Sequence, residues 1–223
     1  MTDFKLTALK YAESTISDAS VMLGGKSDRI WPISFFLFLF ETVKRKILVD
    51  TGCNELGGFY LSRFIKPIEL LSNYGVSAED ITDLIITHSH YDHVALAGEF
   101  KNATVYIQEK EYNRCKNCFV PTQNIVTFDN FVKVNDNIKV VYIGGHSIGS
   151  SVVEFNLDGK SFVIAGDECY VRECILWNKP TGSSENIENS KKFLKTYGNG
   201  KFEIFCSHDM DILPSKNGFL RII

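Results

Sequence analysis

The sequence predicts a layered α+β (α/β layered) fold built on two packed β-sheets. Two observations predict it. Short runs rich in Val, Ile and Phe, each bounded by turn residues, recur along the chain, and stretches of helical spacing are interspersed among them. Strand-rich halves with intervening helices bury their apolar faces by stacking in layers.

The elements follow in order. Residues 30–40 are the longest apolar stretch, interrupted by Pro32 and Ser34 and too short to cross a bilayer. Their second half, residues 35–40, reads as a strand buried on both faces, giving a strand over 33–41 and a second over 46–50. Residues 61–74 place Leu61, Phe64, Ile65, Ile68, Leu70 and Leu71 at helical spacing, with a kink at Pro67 and a stop at Gly75. A strand over 84–87 leads into a short helix over 94–98. A strand over 104–107 and a helix over 108–116 follow, then strands over 138–143, 151–156 and 161–165. Asp158-Gly159 between the last two is a strong hairpin signal. Ser184 offers an N-cap to a helix over 185–197, whose Ile187, Phe193, Leu194 and Tyr197 form an apolar face. A strand over 203–206 completes the set. Residues 46–52 (KILVDTG) and 161–167 (SFVIAGD) rhyme, which hints at a duplicated half.

No repeat or linker interrupts the 223 residues, so one domain over 1–223 is expected. Hydrophobic residues at 44% and charged residues at 23% exclude disorder as the main state. Lys and Arg total 24 against 27 Asp and Glu, a net charge of −3. That gives no basic footprint for a nucleic-acid backbone, so no nucleic-acid partner is expected. Residues 1–12 carry no signal-peptide core, so a cytoplasmic protein with no membrane association is expected. The six cysteines are then expected as reduced thiols, and Cys115-x-x-Cys118, with no second pair, is expected to have no special role.

The chemistry concentrates at Thr87-His88-Ser89-His90-Tyr91-Asp92-His93, directly after an apolar strand. On an extended chain His88 and His90 would face the same way, whereas the adjacent Asp92 and His93 must face differently. Imidazoles and a carboxylate suit Zn, Fe, Mn or Co without a thiolate. A run of solvated loop histidines is the bland alternative, and the composition opposes it. The chain has five histidines; three are here, and His146 and His208 also follow predicted strands, as does Asp167. Strand ends of layered folds are where sites are assembled.

The ordered set H-x-H-x-D-H (88–93), G-H-S-x-G (145–149), G-D (166–167) and S-H (207–208) resembles the metallo-β-lactamase superfamily. The resemblance implies a four-layer αββα sandwich of two mixed β-sheets flanked by helices. It also implies two divalent metal ions, zinc above Fe, Mn or Co. His88, His90 and His146 would bind the first ion; Asp92, His93 and His208 the second; Asp167 would bridge them. Asp50 would orient a ligand histidine through its distal N–H.

Within that superfamily Asp167 stands where the true β-lactamases commonly carry cysteine. His90 stands where flavodiiron proteins carry glutamate. The fifteen residues after His208 do not hold the helical domain of glyoxalase II, and the acidic balance does not suit the tRNA surface of ribonuclease Z relatives. Asp167-Glu168-Cys169-Tyr170 is similar to the D-x-x-Y of the N-acyl homoserine lactone lactonases. That resemblance implies a quorum-quenching hydrolase with a small-molecule substrate, a lactone whose ester is opened by attack of a metal-bridging hydroxide. Tyr170 would donate to the oxyanion, and Asp92 would pass a proton to the leaving oxygen. Two departures stand out: Val94-Ala95-Leu96-Ala97-Gly98 replaces A-G-G after the motif, and residues 53–61 are shorter than the family's covering loop. Three alternatives stay open here. They are a thioester or phosphodiester hydrolase, a persulfide dioxygenase-like oxidoreductase with one iron on His88, His146 and Asp167, and a non-catalytic binder.

Overall fold

The chain opens on a long antiparallel pair, β1 (Lys5–Ser17) and β2 (Ile30–Glu41), joined through a short helix, α1 (Asp18–Val21). Along β2 the side chains alternate. Phe36, Phe38 and Phe40 enter one apolar cluster while Phe35, Leu37 and Leu39 enter another, so this strand is buried on both faces, as its sequence predicts. The computed structural model describes residues 4–213 and 218–222. Of the N-terminal stretch read above, residues 1–3 lie outside them.

The strand β3 (Lys46–Val49) pairs antiparallel with β2; α2 (Pro67–Tyr74) and β4 (Asp83–Ile86) follow. Next come α3 (Tyr91–Val94), β5 (Thr104–Gln108), α4 (Glu109–Cys115), β6 (Asn124–Phe128) and β7 (Phe131–Lys133). The second half holds β8 (Ile138–Tyr142), β9 (Ser151–Leu157), β10 (Lys160–Ile164), α5 (Arg172–Leu176), α6 (Ile187–Tyr197), β11 (Phe202–Phe205) and β12 (Phe219–Arg221). Among the described residues one sheet has seven strands in the order β12-β1-β2-β3-β4-β5-β6, and the other five in the order β11-β10-β9-β8-β7. Both are mixed. β3 is antiparallel to β2 and parallel to β4; β10 is antiparallel to β9 and parallel to β11. The rhyme between residues 46–52 and 161–167 thus has a topological counterpart.

Three clusters define four layers. Phe38, Phe40, Phe155 and Phe205 meet between the sheets. Leu70, Leu71, Val94 and Cys115 cover the outer face of the larger sheet, and Cys174, Phe193, Leu194 and Tyr197 that of the smaller. The αββα sandwich implied by the resemblance is the observed fold. Among the described residues no helix is long and apolar enough to cross a membrane.

Several local expectations need correction. The helix expected over 61–74 begins only at Pro67, because Ser62 instead bridges Glu13 of β1 and Ile65 N donates to Tyr11 O. Pro67 starts the helix rather than kinking it, as suits a residue with no N–H. Gly75 closes it at φ 94°, in the left-handed region. The short helix expected over 94–98 lies earlier, at Tyr91–Val94, followed by a 3₁₀ turn at Ala97–Glu99. The cap of α6 is Asn186, not Ser184, whose hydroxyl donates to Gly145 O instead. Asp158 and Gly159 adopt φ 49° and 76°, the left-handed pair that a two-residue hairpin needs.

Candidate metal centre

Every candidate ligand leaves the C-terminal end of a strand. Asp50 follows β3, residues 87–93 follow β4, the 144–149 loop follows β8, Asp167 follows β10 and His208 follows β11. Asp50 takes φ 60°, and its carboxylate turns toward β4. There it accepts Thr87 N at Oδ1 (2.8 Å) and Thr87 Oγ1 at Oδ2 (2.8 Å). His90 then caps α3, so Asp92 and His93 fall on that helix's first turn. Tyr11, the extra residue of a bulge in β1, donates its hydroxyl to Asp92 O at 3.2 Å.

Two donor groups result. His88, His90, His146 and Asp167 form one, and Asp92, His93 and His208 the other. The two oxygens of Asp167 divide between them. Oδ2 lies 3.7 Å from His88 Nε2 and 3.5 Å from His146 Nε2, while Oδ1 lies 3.2 Å from both His93 Nε2 and His208 Nε2. Asp92 Oδ2 completes the second group at 3.4 Å from His93 Nε2 and 3.8 Å from His208 Nε2. Zn–N bonds of about 2.0–2.1 Å in a tetrahedron put ligand atoms about 3.4 Å apart, which these spacings match.

The polar atoms fit a cation better than one another. His90 Nδ1 sits 3.0 Å from His88 Nε2 and 2.9 Å from His146 Nε2, yet one ring nitrogen cannot hydrogen-bond both. His93 Nε2 and Asp167 Oδ1 are buried with no hydrogen-bond partner among the described residues. Such orphans are costly unless something else satisfies them. Behind the rings, distal nitrogens are pinned as N–H donors: His93 Nδ1 to Asp50 Oδ2 (2.8 Å), His208 Nδ1 to Ser34 O (2.8 Å) and His88 Nδ1 to Thr87 Oγ1 (3.1 Å). Each turns its Nε2 inward, the nitrogen that a metal ligand would offer.

Electrostatics point the same way. Burial pushes His88 well down and His146 down to about 4, so both rings are neutral donors at pH 7. Burial would raise Asp167, but His93, His208 and His88 carry it well below the usual carboxylate range. Against burial, Asp167, Asp92 and Asp50 hold His93 well above the usual imidazole range.

A cleft of about 300 Å³ opens onto this edge. Ile16, Ile33, Phe35, Leu56 and Phe59 line its wall, with Ser20 and Ser183 as polar points. Tyr170 also lines it; its ring stacks on His208 at 4.9 Å between centroids, and burial keeps its phenol well above its ordinary pKa and so protonated. Leu56 and Phe59 come from residues 53–61, the segment shorter than the family's covering loop.

A family model of the metallo-beta-lactamase superfamily matches residues 36–208. The chain belongs to that superfamily. A relative from Methanocaldococcus jannaschii, named a probable metallo-hydrolase, is 32% identical over 171 residues, covering 76% of this chain and 74% of its own. The N-acyl homoserine lactonase of Bacillus thuringiensis is 24% identical over 239 residues, covering 95% of each chain. Among solved structures, an N-acyl homoserine lactone hydrolase with N-hexanoyl-L-homoserine at its catalytic metal centre superposes with a TM-score of 0.82. It is 22% identical, over 95% of this chain and 96% of that one.

The structure gathers all eight predicted metal-site and catalytic residues and Asp50 at one edge. The reasoning for four of them changes. β4 ends at Ile86, so His88 and His90 share a group through a loop, not through strand alternation. Asp92 and His93 join one group because a helical turn carries them. Cys115 and Cys118 stand outside both groups. Cys115 is buried, donates to Glu111 O at 3.2 Å, and burial pushes its thiol up to about 12. All six cysteines are free. Two buried carboxylates went unread, Glu111 and Glu168. Glu111 accepts Ser89 N (2.8 Å), Ser147 Oγ (2.8 Å) and Gly149 N (2.6 Å), joining two ligand loops.

Asp50→Ala removes the partner of His93 and the anchor of Thr87 together. A chelator titration should show ion affinity falling about 10–100-fold. Unchanged affinity would show that Asp50 does not orient His93.

Proposed function

We propose that this chain is a dinuclear metal-dependent hydrolase that opens the ester ring of an N-acyl homoserine lactone-like substrate, the reaction by which quorum signals are quenched. One observation carries the reading: an apolar cleft, with no Lys or Arg among its described lining residues, ends on two donor groups that share Asp167. Such a cleft suits a neutral ring with an aliphatic tail. A phosphodiester or a carboxylate-bearing thioester would bring a negative charge for which the described lining offers no Lys or Arg beside the ions. The second donor group supports two ions over a single iron. The all-N/O donors suit zinc, the ion assigned to the site here, with iron, manganese or cobalt the other ions such donors accept.

His88, His90 and His146 would hold the first ion, Asp92, His93 and His208 the second, with Asp167 common to both. Ions so held supply Lewis acidity and make water nucleophilic at neutral pH. The protein's own groups do the rest. Ile33, Phe35, Leu56 and Phe59 hold the acyl chain and exclude bulk water. The Tyr170 hydroxyl donates to the ester carbonyl oxygen as it gains charge. As water adds to the ester carbon and the ring C–O bond breaks, the Asp92 carboxylate takes the proton that water loses and passes it to the leaving ring oxygen, which becomes the hydroxyl of the ring-opened acid. The whole chain would act as one domain.

Tyr170→Phe is expected to lower kcat on a lactone by about 10²-fold, the scale of one oxyanion donor. An unchanged rate would remove that role. The function itself is tested on a panel of hexanoyl homoserine lactone, a thioester and bis-p-nitrophenyl phosphate, alongside metal analysis and oxygen uptake. Lactone turnover with two ions per chain is expected. Faster phosphodiester turnover, or oxygen uptake with one iron, would overturn the proposal.

A further inference from the structure

One ligand histidine lacks the ring anchor that three others have. His146 Nδ1 is buried with no partner among the described residues. The distal nitrogens of His88, His93 and His208 are all bonded, and His90, at the exposed rim, turns its Nδ1 inward. His146 is held through its backbone instead. Glu168 Oε1 accepts Gly145 N at 2.9 Å, His146 N at 3.0 Å and the Ser150 hydroxyl, and Oε2 accepts Ser190 Oγ at 3.4 Å. Glu168 is 1% exposed. From the other side, Glu185 N and Asn186 N donate to His146 O (3.1 Å) and Gly145 O (2.9 Å). The grip tolerates nothing larger than Gly at 145. A Cβ there would lie 2.3 Å from Glu168 Oε2 and 2.4 Å from Ser190 Oγ.

We propose that Glu168 is the positioning residue of His146, fixing that ligand through the main chain as Asp50 and the Ser34 carbonyl fix His93 and His208 through their rings. Glu168 directly follows Asp167, so one short segment sets two ligands of the first group. One carboxyl oxygen accepts three bonds at once, and a buried amide left without it would turn away. The inference rests on the two-ion reading above.

The test measures zinc affinity by competition with a chromophoric chelator, starting with the unsubstituted chain. Uptake of fewer than two ions there would sink the site reading, and the role of Glu168 with it. In a His208→Ala background the remaining ion reports the first group, and Glu168→Ala should weaken it about 10–100-fold. In a His90→Ala background the ion reports the second group, and Glu168→Ala should leave it within about threefold. Glu168→Gln keeps the carbonyl acceptor for both amides and should restore most first-group affinity. Equal losses in the two backgrounds, or no loss in the first, would overturn the proposal. Should Glu168→Ala fail to fold, the double change Ser150→Ala and Ser190→Ala decides it. Freed of its two hydroxyl donors the carboxylate should slip, and first-group affinity alone should fall; an unchanged affinity would overturn the proposal.

Discussion

Asp167→Asn is expected to remove bound metal and hydrolysis together. The Asp167 carboxylate alone faces both donor groups, with Oδ2 toward His88 and His146 and Oδ1 toward His93 and His208. An amide of the same shape has one acceptor oxygen and one donor nitrogen, so it fails one group whichever way it turns. It also removes a negative charge from a site meant to hold cations. The loss should exceed the about 10–100-fold that follows from removing a ligand's outer partner. Metal analysis after dialysis should fall from two ions per chain to one or none, with lactone turnover falling in step. His208→Ala should behave differently, weakening the second ion and sparing the first. Two tightly held ions and full turnover in Asp167→Asn would refute the shared-ligand assignment.

How legible this was depends on where each cause resides. The H-x-H-x-D-H run is legible because its ligands lie within six residues after one strand, where chain connectivity alone brings them close. His146, Asp167 and His208 are legible because each closes an apolar run. Strand β2 announces itself by two-faced apolar alternation. β1 does not: Lys5, Thr7 and Lys10 are polar, and the bulge after Lys10 shifts the phase of the apolar positions. Lys10 lies buried because Glu13 pairs with it at 2.7 Å and Leu213 O accepts from it, partners that no local pattern reveals. The helix expected from Leu61 fails for a similar reason, since Ser62 bonds to a strand 49 residues away. The anchors behind the rings divide in the same manner. Asp50 is a side chain in a recognisable turn, whereas Ser34 contributes a main-chain carbonyl that carries no signature. Glu168 acts through backbone amides, and what marks it is three-dimensional: a carboxylate packed against Gly145.

Phe155→Ala is expected to destabilise the fold by about 3–5 kcal/mol while leaving the metal centre intact. Phe155 is 1% exposed at the middle of the inter-sheet cluster. Its ring meets Phe162 at 4.9 Å, stacked at 9°, and Phe40 at 5.0 Å, edge-on at 77°, with Phe4 at 6.2 Å. Two sheets share this contact, so neither can close the gap without sliding over the other, and the cavity term should be felt nearly in full. For a chain of this length that loss corresponds to about 6–20 °C in Tm. The ligands, however, hang from the far end of the same strands. Ser151, whose N donates to Thr87 O at 2.9 Å, is four residues up β9 from Phe155, about 13 Å away. Below its transition the variant should therefore still bind two ions with the parent's affinity. A loss under about 1 kcal/mol would mean that the sheets collapse onto the gap. A joint loss of stability and of ion affinity would mean that the ligand loops take their geometry from inter-sheet packing rather than from the hydrogen bonds of Asp50, Glu111 and Glu168.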